Sequence, residues 1–352
     1  MRKLFTTLFS LFLAVACLAQ ADSDKQKAYD QALEAIKLMD SGEIDQSIGI
    51  LEESIRLDPS NINYPYETAY AFYLKKDYAR AVEYFEKVIL MDGVTDQCYQ
   101  MLGNAYDMNG QPEKAITTYQ LGLKEFPKSG MLYLELGNMH QGDWGKALEF
   151  YEKGIEIDPV FSSNYYWATR IFCSSNDELW GMIYGELFMN MERGTKRTEE
   201  ISKILFDTYF SEIQFTSDTS VSVSFYKNAT ISLNRDQHIP FGLVYEPILM
   251  LAVTEDEITL ESLNRIRKNF ITLYFEKGFN QTHPNILFDW HKTLIDNGYF
   301  ECYNYWILMH GAPDEFREWH QTNAERFEAF IEWFTDHPMP ISEKQKFHRS
   351  DY

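Results

Sequence analysis

The groups best suited to chemistry in this chain are five histidines in its last quarter, His283, His291, His310, His320 and His337, each a candidate metal ligand or general base. Their spacing serves neither role. Two imidazoles that share a zinc ion from one helix face stand four residues apart with a glutamate after the first, and no such pair occurs. His291 and His320 fall in aromatic helical stretches, where an imidazole acts as a structural hydrogen-bonding group. Met309-His310-Gly311-Ala312-Pro313-Asp314 reads as one helix stopping and the next starting on its proline. There is no G-x-S-x-G elbow, P-loop or dinucleotide fingerprint, and carboxylates are too common here to single out a catalytic pair. Six rings, Trp290, Tyr303, Tyr305, Trp306, Trp319 and Trp333, would give a glycan stacking platforms if exposed; at helical spacing they read as core. No catalytic residue, metal site or cofactor is expected, and the chain reads as a non-enzyme. A glycan-binding or enzymatic C-terminal region, with the first half as its docking arm, is the alternative.

The elements that must position any site repeat along the first half. Ser47, Ala81 and Ala115 lie 34 residues apart, as do Leu51, Phe85 and Tyr119, and Pro59 lies two periods before Pro127. Small residues at Ala35, Ala69, Gly103 and Gly137, and at Ser47, Ala81, Ala115 and Ala147, mark the close approach of two short helices in each unit, with large apolar residues filling the gaps between units. Ser41-Gly42, Lys76-Asp77, Asn109-Gly110 and Gly142-Asp143 supply the turns. Pro59, Pro127 and Pro159 stop the second helices. Units are expected at about 28–61, 62–95, 96–129 and 130–161, the fourth two residues short near Gln141-Gly142, with a degenerate fifth at 162–193 built from Tyr165 to Ser174 and Glu178 to Met191.

The third unit, Tyr99, Leu102, Gly103, Tyr106, Ala115, Tyr119, Gly122 and Pro127, resembles the tetratricopeptide repeat, W-x2-L-G-x2-Y…A-x3-F…P. The chain is also similar to exported bacterial proteins in which such repeats precede a poorly characterised C-terminal region. The resemblance implies a mainly α fold: an α-solenoid of antiparallel helix pairs whose first helices line a concave groove. Carried over by register, it nominates Tyr66, Tyr70, Tyr73, Gln100, Asn104, Asp107, Glu135, Asn138, Tyr166 and Arg170 as partner-binding residues. Aromatic bodies with polar tips, interleaved with amides, suit an extended peptide. The basic residues that clamp a partner's terminal carboxylate in some members are replaced by Ala32 and Ile36. Glu67, Asp107 and Glu135 point instead to a neutral or basic protein or peptide.

Residues 1–21 read as a cleaved secretory signal peptide: Arg2 and Lys3, an apolar run from Leu4 to Ala16, and the small-residue site Ala19-Gln20-Ala21. Ala14-Val15-Ala16-Cys17 loosely resembles a lipobox, so lipidation at Cys17 is the alternative to simple cleavage. No later stretch is long and apolar enough for a transmembrane helix. The expected location is therefore periplasmic or secreted, or membrane-anchored as a lipoprotein. A net charge of -21 makes nucleic acid an unfavourable partner. Cys98, Cys173 and Cys302, widely spaced, allow at most one bridge; Cys98 and Cys173 read as small buried apolar residues.

Residues 194–337 are expected to form a helical C-terminal domain, with helices at Thr198 to Phe215, Gly242 to Val253, Leu260 to Lys277, Asn285 to Asn297, Tyr299 to Met309 and Asp314 to Thr335. Val221, Val223 and Phe225 alternate with serines, and Ile231 and Leu233 resume the alternation after Tyr226-Lys227-Asn228, which predicts a β-hairpin near 220–234. Residues 338–352, with their prolines and mixed charge, are expected to be a flexible tail. Together these readings predict an exported adaptor or scaffold of the cell envelope that holds a protein or peptide in its groove.

Overall fold

A computed structural model describes residues 2–217, 220–227 and 239–352, with side chains from residue 20 onward. The first ten helices are α1 (Arg2–Asp40), which begins well before the first expected unit at 28, α2 (Ile44–Leu57), α3 (Asn63–Leu74), α4 (Tyr78–Val88), α5 (Asp96–Met108), α6 (Pro112–Glu125), α7 (Gly130–Asn138), α8 (Trp144–Ile157), α9 (Ser162–Phe172) and α10 (Glu178–Met191). α7 has 9 residues against 12 in α3 and 13 in α5, the shortening that the missing residues near Gln141-Gly142 require. The fold is an α-solenoid of paired antiparallel helices followed by a helical region that carries one small antiparallel hairpin.

The small positions of the period are its contact points. Ala35, Ser47, Ala69, Ala81, Ala115 and Ala147 are fully enclosed. At Gly103 a methyl group would stand 2.1 Å from the Tyr119 ring, so only glycine lets α5 and α6 approach this closely. Leu51, Phe85, Tyr119 and Tyr151, which share one position of the repeat, are buried as its large filler. The turns use the left-handed region: Gly42 has φ 86° and Gly110 φ 75°, while in the second repeat Lys76 takes φ 64° despite its Cβ. Asp77 follows it and accepts a hydrogen bond from the Arg80 N–H, capping α4.

The chain divides into two units, Met1–Met139 and His140–Tyr352, with the boundary between α7 and α8; the repeat limit at Arg193 lies inside the second unit. In the first unit α1, α3, α5 and α7 are the first helices of successive repeats, and α3 packs on α1 and α5, and α5 on α7.

The second unit is organised around α10. Its side chains are buried without interruption from Glu178 to Asn190, so it has no solvent face at all. Around it stand α9, α11 (Lys196–Glu212), α12 (Phe241–Ala252), α13 (Leu260–Glu276), α14 (Phe279–Thr282), α15 (Ile286–Asp296), α16 (Phe300–Leu308) and α17 (Pro313–Asp336). α11 and α13 begin on capping boxes in which Thr195 and Thr198, and Thr259 and Ser262, exchange side-chain and backbone hydrogen bonds.

Two expectations need correction here. The hairpin is formed by β1 (Ile213–Ser217) and β2 (Ser220–Val223), paired with Ile213 opposite Val223 and Phe215 opposite Val221. Val221 and Val223 thus pair backward with the end of the expected helix, which stops at Glu212; the second strand expected at Ile231 and Leu233 lies outside the described residues. Residues 338–352 are not a loose tail: Met339, Phe347 and His348 are buried, and a short 3-10 turn spans Arg349–Asp351. Two aromatic side chains, Phe347 and Tyr352, anchor a stretch whose charge and prolines suggested solvent.

Four of the six late rings are interior, and the other two, Trp319 and Trp333, are half-buried against them. Trp290, Tyr303, Tyr305 and Trp306 are buried. Trp319 stacks on Tyr305 at 4.1 Å, and Trp333 on Trp290 at 5.8 Å.

Candidate partner-binding face

On α3 the spacing of Tyr66, Tyr70 and Tyr73 places the three rings along one face. All three are half-buried. Tyr66 meets Phe85 edge-on at 5.6 Å and Tyr73 meets Tyr78 edge-on at 5.4 Å, which fixes the outer two rings. Burial first, then the neighbouring Tyr78, Glu135, Asp107 and Tyr70, push the Tyr73 phenol up, so the fields of carboxylates on α5 and α7 reach a ring on α3. Burial likewise raises the Tyr66 phenol and the Glu67 carboxyl. These phenols stay protonated at neutral pH and serve as hydrogen-bond donors.

The polar members are partly spent within the unit. Glu135 accepts from Gln100 Nε2 at 2.6 Å and from Asn138 Nδ2 at 3.1 Å, a clasp that ties α5 to α7 and holds the carboxylate in place. Asn104 accepts from the Tyr119 hydroxyl at 2.6 Å, so its carbonyl serves the helix pair. Asp107 is exposed. The first unit thus brings Tyr66, Tyr70, Tyr73, Gln100, Asn104, Asp107, Glu135 and Asn138 onto neighbouring first helices as an aromatic face with carboxylates. Such a face can hold cationic or amide groups.

Tyr166 and Arg170, on α9 of the second unit, sit in a different setting. Tyr166 is buried and donates to Glu200 Oε2 at 2.7 Å. Arg170 pairs with the same Glu200 at 3.1 Å and lies 4.7 Å from the centre of the Trp167 ring. Arg170 and Glu200 line a cleft of about 620 Å³ whose walls include Trp144, Trp167 and Ile204.

A buried charge cluster brings together His291 and Tyr303, both singled out in the sequence, with Glu186 and Arg267, which were not. Glu186, in the middle of α10, receives two hydrogen bonds from Arg267 of α13 at 2.7 and 2.6 Å, one from His291 of α15 at 2.9 Å and one from the Tyr303 hydroxyl of α16 at 3.0 Å. Arg267 also donates to Asn304 at 2.7 Å, and Asn190 to Tyr303 at 2.9 Å. Burial raises the Glu186 carboxyl, but the Arg267 guanidinium, then His291 and Tyr303, overcome it and hold it at about 2. Burial holds His291 below its ordinary value against the pull of Glu186, so a neutral ring donates its Nε2–H. The cavity beside them, about 20 Å³, has room for about one water and no substrate. A charge inside an otherwise apolar helix was the available signal, since such a group must find a partner.

Of the other histidines, His283 is buried with its ring bonded to the Ile239 carbonyl at 2.9 Å, His320 lies against Phe316 and Phe327, and His337 stacks on Trp333 at 4.8 Å. Among the described residues no cluster of three or more His, Cys, Asp or Glu side chains could hold a metal ion, and no helix is long and apolar enough to cross a membrane. Cys98, Cys173 and Cys302 are free thiols; burial pushes Cys173 up to about 12 and Cys302 to about 11. The side chain of Cys17 lies outside those described.

The tetratricopeptide repeat family model matches residues 33–92 and 101–160. Among curated proteins, the general transcriptional corepressor trfA of Dictyostelium discoideum is 27% identical over 127 residues, 35% of this chain and 9% of its own length. The small glutamine-rich tetratricopeptide repeat-containing protein 2 of Mycosarcoma maydis is 33% identical over 86 residues, 24% of each chain. The match therefore spans a quarter or less of these relatives. Among solved structures, MamA aligns over 45% of this chain and 93% of its own with 22% identity and a TM-score of 0.37, and pilF of Pseudomonas aeruginosa over 53% and 86% with 15% identity and a TM-score of 0.44. YrrB, described as a tetratricopeptide repeat protein with an unusual peptide-binding site, aligns over 49% and 89% with 18% identity and a TM-score of 0.35.

Proposed function

From the tetratricopeptide repeats and the face they build, we infer that this chain is a non-enzymatic exported binding protein, an adaptor or scaffold of the cell envelope. It takes a neutral-to-basic protein or peptide segment along α3, α5 and α7. Stacked repeats create surface without creating a catalytic constellation, and proteins of this fold act as scaffolds for protein and peptide partners. The observation that carries the reading is the placement of Tyr70 and Tyr73 on α3, Asp107 on α5 and Glu135 on α7, three successive first helices, with both carboxylates near enough to Tyr73 to help push its phenol up. Rings lend contact area at low entropic cost, and the carboxylates select against acidic partners.

Affinity capture from the cell envelope with the full chain tests it. Replacing Tyr70 and Tyr73 together by alanine removes two aromatic anchors, worth about 2 kcal/mol or more as hot spots, so capture should fall by roughly 30-fold or more while helical circular dichroism is unchanged. Capture at full strength discards the face. Export rests on the basic start, apolar run and small-residue site of residues 1–21; Cys17 supplies the lipid-anchored alternative. The mass of the mature N-terminus separates a free Asp22 from a lipidated Cys17, and an intact Met1 in the mature protein removes both.

A further inference from the structure

The segment that follows α17 lies in the second unit as a bound peptide lies on its receptor. Its regular structure is confined to an isolated bridge between Ser342 and Gln345 and the turn at Arg349–Asp351. Side chains entering a groove between α8, α10 and α12 hold it instead. Phe347 packs on Tyr184 at 5.7 Å and on Trp180 at 6.1 Å, and Tyr352 packs on Phe241 at 4.9 Å. Between these anchors Arg349 makes a two-pronged contact with Glu152, at 2.7 and 2.6 Å. The groove adds its own backbone. The Glu152 carbonyl meets the His348 ring at 3.0 Å, and the Glu156 carbonyl accepts from Lys346 at 2.5 Å. The Arg349 N–H donates to the Tyr184 hydroxyl at 3.1 Å, and that hydroxyl donates to Glu152 at 3.1 Å.

The groove has the make-up of a recognition site. Glu152 is a carboxylate at 7% exposure on a repeat helix, and Arg349 is the cation that matches it. A buried carboxylate without such a partner is costly, so the groove selects a guanidinium at that point. Trp180, Tyr184 and Phe241 then select rings two residues before and three residues after it. We propose that this groove is a second peptide-binding site, independent of the face on α3, α5 and α7. Its ligand is a partner protein's segment of the pattern aromatic–x–Arg–x–x–aromatic preceded by a basic residue, and Phe347–Tyr352 is its resident occupant. The acidic chain, with a net charge of -21, favours approach of such a basic segment. The tether makes the resident a competitor at an effective concentration on the order of 1 mM, so a resident whose sequence binds the empty groove with a Kd of about 10 μM holds any partner off by about 100-fold.

A fluorescent peptide with the sequence of residues 339–352, titrated into the full chain, reads this out. The Phe347→Ala/Arg349→Ala chain, whose resident is weakened, should bind the peptide about 100-fold more tightly than wild type. Glu152→Gln in that chain, or Arg349→Ala in the peptide, should abolish the gain. Equal binding by both chains, or binding that ignores Glu152, overturns the proposal. Hydrogen exchange on the wild-type chain needs no variant: amides of residues 345–352 should exchange through local opening well below the free energy of global unfolding. Exchange of that segment only on global unfolding would make it core and overturn the proposal, as would peptide-independent dimers formed by swapping the segment between copies.

Discussion

Replacing Arg267 by methionine asks whether the second unit is organised around one buried charge pair. The substitution keeps the bulk and leaves the Glu186 carboxylate enclosed with His291 and Tyr303 as its remaining partners. Breaking a buried pair in this way costs about 3 to 5 kcal/mol. The Glu186 carboxyl points the same way: burial raises it, but Arg267 first, then His291 and Tyr303, hold it well below its ordinary 4.5, so its ionised form stabilises the folded state. For a unit of this size the melting temperature should drop by about 6 to 20 °C.

The pH dependence is the sharper test. In the wild type the contribution of Glu186 is fully present above its ordinary 4.5 and is lost as the pH falls toward 2. His291, kept neutral by burial, adds a loss that begins as the pH passes below its ordinary 6.5, because the unfolded chain then binds a proton that the folded chain refuses. Without Arg267, burial favours the protonated Glu186 carboxyl, so the variant should recover relative to wild type as the pH falls from 7 to 5. Urea midpoints at the two pH values measure both effects. The double variant Glu186→Gln/Arg267→Met should regain much of the loss at pH 7. A single variant within about 0.5 kcal/mol of wild type, or one whose deficit is the same at both pH values, would refute the reasoning.

The packing of the repeats makes two further predictions. Ala115→Leu forces three extra carbons into a fully enclosed helix contact and should cost about 1 to 3 kcal/mol in thermal or urea unfolding. Gly103→Ala should cost a similar amount, on the order of 1 to 3 kcal/mol, because its methyl group would meet the Tyr119 ring at 2.1 Å, whereas Gly110→Ala would report only the strain of a left-handed turn.

The solenoid was legible because its information is repeated: Ala81, Ala115 and Leu51, Phe85, Tyr119 state the same contact several times over, so register survives the loss of two residues in the fourth unit. The hairpin was misplaced because Val221 and Val223 show alternation without showing direction, and Ile213, one turn after Tyr209, continues a helical stripe as well as it starts a strand. The residues of the proposed partner-binding face were nominated through register, but Asn104 and Glu135 have internal hydrogen bonds that no spacing displays, and Tyr166 is spent on Glu200. Glu186 finds Arg267 and His291 at separations of 81 and 105 residues, and Glu152 finds Arg349 at 197, distances over which local pattern carries no signal.

The unbroken burial of α10 bears on how this molecule can be dissected. A cut after Arg193, where the repeats end, would leave α10 shielded mainly on its α9 side, exposing part of the surface that includes Trp180, Ile183, Leu187 and Phe188, and would strand the Glu186 carboxylate without Arg267, His291 and Tyr303. The last repeat is thus on loan from the region that follows it, and a shortened protein meant to isolate the face on α3, α5 and α7 should end earlier still, at the unit boundary after Met139, because α8 lays Tyr151 against Trp167 and Glu152 against Arg349.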